Sequence, residues 1–383
     1  MSILPPLQNN KPVYIVDTTL RDGEQAPGVV FTLKEKVRIA QMLDEIGVDQ
    51  LEAGTPIMGG DEAASIYAIA HLGLHASIMA WCRAQRGDVD AALACGVDAL
   101  EISAPTSDLL IRHKLNSSRQ EVLENMQQVV RYAKQHGVYV SVGAEDTTRS
   151  EEAFVIQYAL AAQEAGADRL RYCDTVGTMD PFTLADCICR IRQKVSLPIE
   201  IHTHNDFGLA TANTLAAFRA GATFLSTTAT GLGERSGNAA LEEILMALKH
   251  LFKVPIPYNL AKLSVACHFV AAAAKRSIAP DKPIIGSALF CHESGIHADA
   301  TLKNTETYEP FAPEEIGLSR QLIIGKHSGS SAIQKRFADL GICLNKDTAR
   351  KLIDEIRCHA IKHKTALSDQ DLLHIYQRWH PAE

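Results

Sequence analysis

A chain of 383 residues can hold one large barrel domain with an appendage, or two ordinary domains, and 46% hydrophobic residues supply a substantial core. A formal net charge of −7 and a pI near 6.1 argue against nucleic acid as a main partner. No apolar run reaches a membrane span, no basic-then-apolar segment opens the chain, and the nine cysteines form no CxxC pair, so a soluble cytoplasmic protein with reduced thiols and no membrane partner is expected.

Short apolar runs alternate with longer amphipathic stretches from Tyr14 to about His250. The runs are Val13–Asp17, Val48–Glu52, His75–Trp81, Ala99–Ser103, Val138–Gly143, Arg169–Cys173, Ile199–His204 and Thr223–Thr228. Helical patterns such as Leu33–Ile46, Gln120–Gln135, Glu151–Ala165 and Thr183–Val195 lie between them. Gly47, Gly96, Gly137, Gly166 and Gly221 each stand just before a run, where a left-handed residue closes the preceding helix. Eight strand–helix units predict a parallel (β/α)8 TIM barrel over residues 1–257. A doubly wound open sheet is the competing fold. Its glycine-rich dinucleotide turn is absent, because the first turn reads Thr18-Thr19-Leu20-Arg21-Asp22-Gly23-Glu24-Gln25. After Pro257 the rhythm changes to an Ala-rich helix over 258–275, a looped stretch over 286–330, and two or three small helices over 331–383. Residues 258–383 thus read as C-terminal, mainly helical subdomains.

Barrel enzymes carry their sites at the C-terminal strand ends. Those ends read Arg21-Asp22, Glu52, Trp81-Cys82-Arg83, Glu145-Asp146, Asp174-Thr175 and His202-Thr203-His204, and the last strand runs into Gly231-Leu232-Gly233-Glu234-Arg235-Ser236-Gly237-Asn238. Strand side chains alternate, so His202 and His204 share a face with Glu200 beneath them. Such a pair either binds a metal ion or forms a polar rim. With Asp22 as carboxylate and Asn238 as amide oxygen, the imidazoles make a mixed N/O set for zinc, manganese, magnesium or cobalt. Asn238 is alternatively the cap of the last barrel helix, and Glu200 is read as orienting an imidazole. The loop glycines 231, 233 and 237 either cradle a phosphate or simply make the turn into that helix. His292 and His297 are five apart and miss the one-face spacing of a helical zinc motif.

Asp17–Gly28, His202–Ala210 and Gly231–Asn238 together resemble, in order, the three signatures of the 2-isopropylmalate/homocitrate/citramalate synthases. The likeness continues through His292–Leu302 and Leu322–Gly329. Leu51–Glu62 and Arg169–Gly177 are most similar to homocitrate synthases of the nitrogen-fixation type, and the chain lacks the leucine-sensing domain usual in isopropylmalate synthases. The resemblance implies a metal-dependent barrel, acting as a homodimer, that condenses acetyl-CoA with a 2-oxo acid. For the nitrogen-fixation type that acid is 2-oxoglutarate, and homocitrate serves nitrogenase cofactor synthesis. It further implies Arg21 beside the developing alkoxide (its other reading being a rim salt bridge), Thr175 on the C1 carboxylate, and Glu145 positioning a base. His297 and Tyr308 would be catalytic residues of a lid over a partner's barrel. Lysine-pathway homocitrate synthases use an arginine and a serine on the fifth strand to hold the oxo acid; here that strand reads Ser141-Val142-Gly143. Arg83 is the candidate for the distal carboxylate by position. Isopropylmalate or citramalate synthesis, and a related acyl-CoA lyase, are the sister readings.

Overall fold

The computed structural model describes residues 13–379. The N-terminal segment read above as lacking a targeting signal lies mostly outside them. Eight parallel strands close into a barrel: β1 (Tyr14–Asp17), β2 (Gln50–Glu52), β3 (Ser77–Arg83), β4 (Ala99–Pro105), β5 (Tyr139–Glu145), β6 (Arg169–Asp174), β7 (Ile199–Thr203) and β8 (Phe224–Thr227). β8 returns to β1 with Tyr14 opposite Phe224 and Asp17 opposite Thr227. The surrounding helices are α1 (Leu33–Ile46), α2 (Gly60–Ala70), α3 (Arg86–Ala94), α4 (Asp108–Leu115), α5 (Arg119–Gln135), α6 (Glu152–Ala165), α7 (Pro181–Arg192), α8 (Ala210–Ala220) and α9 (Leu241–His250). Local sequence sets their ends. Thr32 with Glu35 and Ser118 with Glu121 form capping boxes at α1 and α5, and all five break glycines adopt positive φ.

The expected boundary after residue 257 shifts. Helix α10 (Leu263–Ala273) packs on α1, and Tyr258 Oη donates to Asp49 Oδ2 at 2.6 Å. The first compact unit therefore runs through Ile278 and the second begins at Ala279. In the second unit, the parallel pair β9 (Cys291–His292) and β10 (Gln321–Leu322) accompanies α11 (Gly295–Lys303), α12 (Ser330–Asp339), α13 (Lys346–His363) and α14 (Asp369–Trp379). Phe337, Leu352, Ile356 and Leu372 centre its core. The stretch expected to be looped carries α11.

The barrel interior is layered by the two-residue strand period. Tyr14, Val16, Met79, Ala99 and Phe224 close the bottom. Arg169 lies over the Phe224 ring at 4.4 Å and donates to Gln50 Oε1 at 2.8 Å. Glu200 then bridges Arg169 (2.9 Å) and Arg171 (2.8 Å). Glu52 bridges Arg171 (2.9 Å) and Arg21 (2.8 Å). Burial opposes the Glu52 charge, yet Arg171 and Arg21 hold its carboxyl down to about 2. Glu200 is thus a partner of arginines, correcting its expected role beside an imidazole. Glu200→Ala would leave buried Arg169 without its carboxylate partner and Arg171 with Glu52 alone at close range, an expected cost of about 3–5 kcal/mol. Urea unfolding tests this through a lower midpoint at unchanged slope; a loss below about 1 kcal/mol would contradict the bridging role.

Candidate active site

The chain leaves β1 through a wide π-type turn, Thr19–Gly23. Thr18 Oγ1 accepts from the Asp22 amide at 3.3 Å, and Thr19 Oγ1 accepts from the Ala229 amide of the loop after β8 at 2.8 Å. These bonds deliver Arg21 and Asp22 to the barrel mouth. Asp22 Oδ1 accepts from Arg21 Nη1 at 2.6 Å, and Oδ2 accepts from Asn238 Nδ2 at 2.6 Å. On β7, His202 Nε2 and His204 Nε2 face each other at 3.2 Å, and His202 Nδ1 meets Ser226 Oγ at 2.9 Å. One donor atom from each of Asp22, His202 and His204 lies within 4.8 Å of the others, and all three residues are buried.

This set fits a divalent cation. Metal–nitrogen bonds of about 2.1 Å place neighbouring donors about 3 Å apart, near the 3.2 Å between the imidazoles, with Asp22 Oδ2 at 4.0 Å from His204 Nε2. Burial holds both imidazoles below their ordinary range, despite the Asp22 charge. Burial also opposes the Asp22 charge, but Arg21, His202, His204 and the Asn238 bond hold that carboxyl well below its usual range. Neutral imidazoles and an ionised carboxylate are the states metal binding requires. Asn238 Oδ1 is buried with no hydrogen-bond partner, as an oxygen donor kept for a cation would be. Its capping alternative is not realised, because Ala240 precedes α9. Packing requires two of the loop glycines: a Cβ on Gly233 would meet Asn238 Nδ2 at 2.3 Å, and one on Gly237 would meet the Gly231 carbonyl at 2.0 Å.

A cavity of about 230 Å³ brings together Arg21, Asp22, His202, His204, Glu145 and Thr175. Glu145 pairs with Lys114 at 2.7 Å. Thr175 Oγ1 accepts from the Asp146 amide at 2.9 Å, and its carbonyl accepts from Arg235 Nη2 at 2.8 Å. Arg83 is not brought in. It is clamped to Asp88 at 2.9 Å with its side chain 51% exposed, outside the cavity lining. Sequence reasoning missed Glu101, Ser103 and Arg171, which line the cavity, and Ser226, which fixes His202. Charges at inward positions of apolar strands, as in Leu100-Glu101-Ile102 and Arg169-Leu170-Arg171, were the available signal; Ser226 carries none. In the second unit, His297 on α11 lies against Tyr308, with ring centroids 4.0 Å apart, the rings tilted by 30°, and Tyr308 45% exposed.

A closed parallel barrel with an acid–imidazole cluster at its C-terminal strand ends defines the class: a (β/α)8 protein with a candidate divalent-metal centre. Residues 12–270 match the HMGL-like family, and residues 284–364 match the "homocitrate synthase post-HMGL domain-like" family. The chain belongs to the HMGL-like family. It is 54% identical over 370 residues to 2-isopropylmalate synthase 2 of Caldanaerobacter subterraneus subsp. tengcongensis, covering 97% of this chain and 96% of that one. It is 47% identical over 363 residues to homocitrate synthase 1 of Nostoc sp., covering 95% and 96%. The fold matches an HMG-CoA lyase of Bacillus subtilis at TM-score 0.63 and 21% identity, over 70% of this chain and 95% of the lyase. A relative named an isopropylmalate synthase is thus spanned almost end to end, so chain length does not discriminate between the sister activities.

Asp22→Ala and His204→Ala should each lose nearly all bound divalent metal, measured by atomic emission after dialysis. Ser226→Ala should weaken metal affinity about 10–100-fold. Full metal content in Asp22→Ala would contradict the assignment.

Proposed function

We propose that the protein condenses acetyl-CoA with 2-oxoglutarate and hydrolyses the thioester to release homocitrate and CoA, the homocitrate supplying nitrogenase cofactor synthesis. The observation that carries this reading is the charged lining of the cavity beside the metal-ready cluster. Glu101, Ser103 and Arg171 line it, where an isopropyl-bearing oxo acid would need an apolar slot.

Asp22, His202, His204 and Asn238 would hold the metal, which when bound supplies Lewis-acid polarisation of the oxo acid's C2 carbonyl. Arg21 is fixed between Glu52 and Asp22, so its guanidinium is set in place before charge develops on the C2 oxygen. Thr175 offers its hydroxyl to the C1 carboxylate. Glu145, paired with Lys114, positions the group that takes the acetyl methyl proton. The roles of His297 and Tyr308 rest on the family resemblance: proton transfer at the acetyl methyl and at the thioester. Their ring centroids lie 4.0 Å apart.

A second reading, 2-isopropylmalate synthesis from 2-oxoisovalerate, is favoured by the 54% identical relative of that name. A thiol-release assay over 2-oxoglutarate, 2-oxoisovalerate and pyruvate separates the two. We expect kcat/KM for 2-oxoglutarate to lead by at least about tenfold, activity to vanish on chelation, and re-added divalent metal to restore it. Faster release with 2-oxoisovalerate would replace the first reading with the second. His297→Ala should abolish CoA release at unchanged metal content; loss of metal instead would contradict its role.

A further inference from the structure

One carboxylate in the barrel interior does not follow the bridging pattern. Glu52 and Glu200 each contact two guanidiniums at 2.8–2.9 Å. Glu101, fully buried on β4, comes no nearer than 3.5 Å to Arg171 Nε. Beyond the Ser141 hydroxyl on β5 and this long Arg171 contact its carboxylate has no close polar partner, and its side chain lines the cavity that holds Asp22 and the two histidines. Buried carboxylates without partners are rare, because each unmade bond costs free energy. This one is aimed at the space a ligand would fill.

The neighbouring strand is shaped around it. Gly143 on β5 stands beside Ser103 and Arg171 in the sheet register. It has ordinary backbone geometry, so its conformation does not demand glycine. Space does: a Cβ there would lie 2.3 Å from Glu101 Oε1 and 3.2 Å from Ser103 Oγ. Ser103 also lines the cavity.

We propose that Glu101, Ser103 and Arg171, in the space Gly143 leaves open, form the subsite for the far carboxylate of the oxo acid. The proposal rests on the diacid reading above and names the residues that select it. Four carboxylates (Asp22, Glu52, Glu101, Glu200) meet three guanidiniums (Arg21, Arg169, Arg171) in this interior, so one carboxylate is in excess. Burial pushes the Glu101 carboxyl up to about 7, with Glu200 and Glu52 adding to it against Arg171. A neutral Glu101 donates an O–H to an arriving carboxylate, Ser103 donates a second, and Arg171 supplies the positive field. A branched alkyl end would leave these groups buried and unpaired, which is how polar pockets reject apolar analogues.

The pH dependence has a definite sign. The groups facing Glu101 are Arg171, Glu52, Glu200, the thiols of Cys82 and Cys173, and the phenols of Tyr139 and Tyr158. Burial pushes those thiols and phenols up, away from neutrality. As pH rises through about 7, Glu101 loses the proton it donates, so KM for 2-oxoglutarate should rise while KM for pyruvate does not follow.

The test is steady-state CoA release by the metal-loaded full chain with 2-oxoglutarate, pyruvate and 2-oxoisovalerate, across pH 6 to 8.5, with thermal unfolding as a check on folding. Glu101→Gln keeps an N–H donor; it should retain 2-oxoglutarate use within about threefold and lose the pH dependence of KM. Glu101→Ala and Gly143→Ala should lower the kcat/KM ratio of 2-oxoglutarate to pyruvate at least about tenfold. A parallel loss on every oxo acid in folded Gly143→Ala and Glu101→Ala would overturn the subsite and leave Glu101 a structural residue. Glu101→Gln failing like Glu101→Ala would overturn the neutral-donor role. If the unsubstituted protein itself prefers 2-oxoisovalerate, the diacid reading has failed, and the subsite falls with it before any variant is made.

Discussion

A buried column of alternating charge runs up the barrel axis: Arg169, Glu200, Arg171, Glu52, Arg21 and Asp22, each within hydrogen-bonding distance of the next. An apolar core would be as stable or more so, because buried ion pairs seldom repay their desolvation. What the column supplies is position. Arg21 is gripped from below by Glu52 and grips Asp22 above, so the carboxylate of the candidate metal set is held from within the barrel rather than by a loop alone. The chemistry proposed at the mouth depends on that grip.

The same column explains why the pocket is polar beside the metal set. Once three guanidiniums are sealed inside, their carboxylate partners must be inside too. The one carboxylate left incompletely paired is then available to a ligand. The proposed selectivity for a charged oxo acid and the rigidity of the candidate metal set would then have one physical source.

The barrel was legible in the sequence because its signals are local and repeated: apolar runs of strand length, helices closed by glycine, and capping residues at α1 and α5. The pair His202 and His204 was legible from strand alternation, and Asp22 from its place at a strand end. Glu200 was misassigned because alternation shows which face a side chain takes but not what it meets. Its partners Arg169 and Arg171 come from the adjacent strand at a register that no local pattern encodes. Position at a strand end likewise does not show that Asp88, five residues on, holds Arg83 away from the cavity. Gly143 read only as the absence of an expected arginine and serine. Its use as room for Glu101 appears once β4 and β5 are side by side.

A charged interior that selects a dicarboxylic oxo acid beside a metal-ready Asp–His–His set would leave its mark on the product. The most direct measurement is product identification by mass spectrometry after the metal-loaded protein meets acetyl-CoA and an equimolar mixture of 2-oxoglutarate, 2-oxoisovalerate and pyruvate. The structure leads us to expect homocitrate as the dominant product. Dominant 2-isopropylmalate or citramalate would contradict the claim.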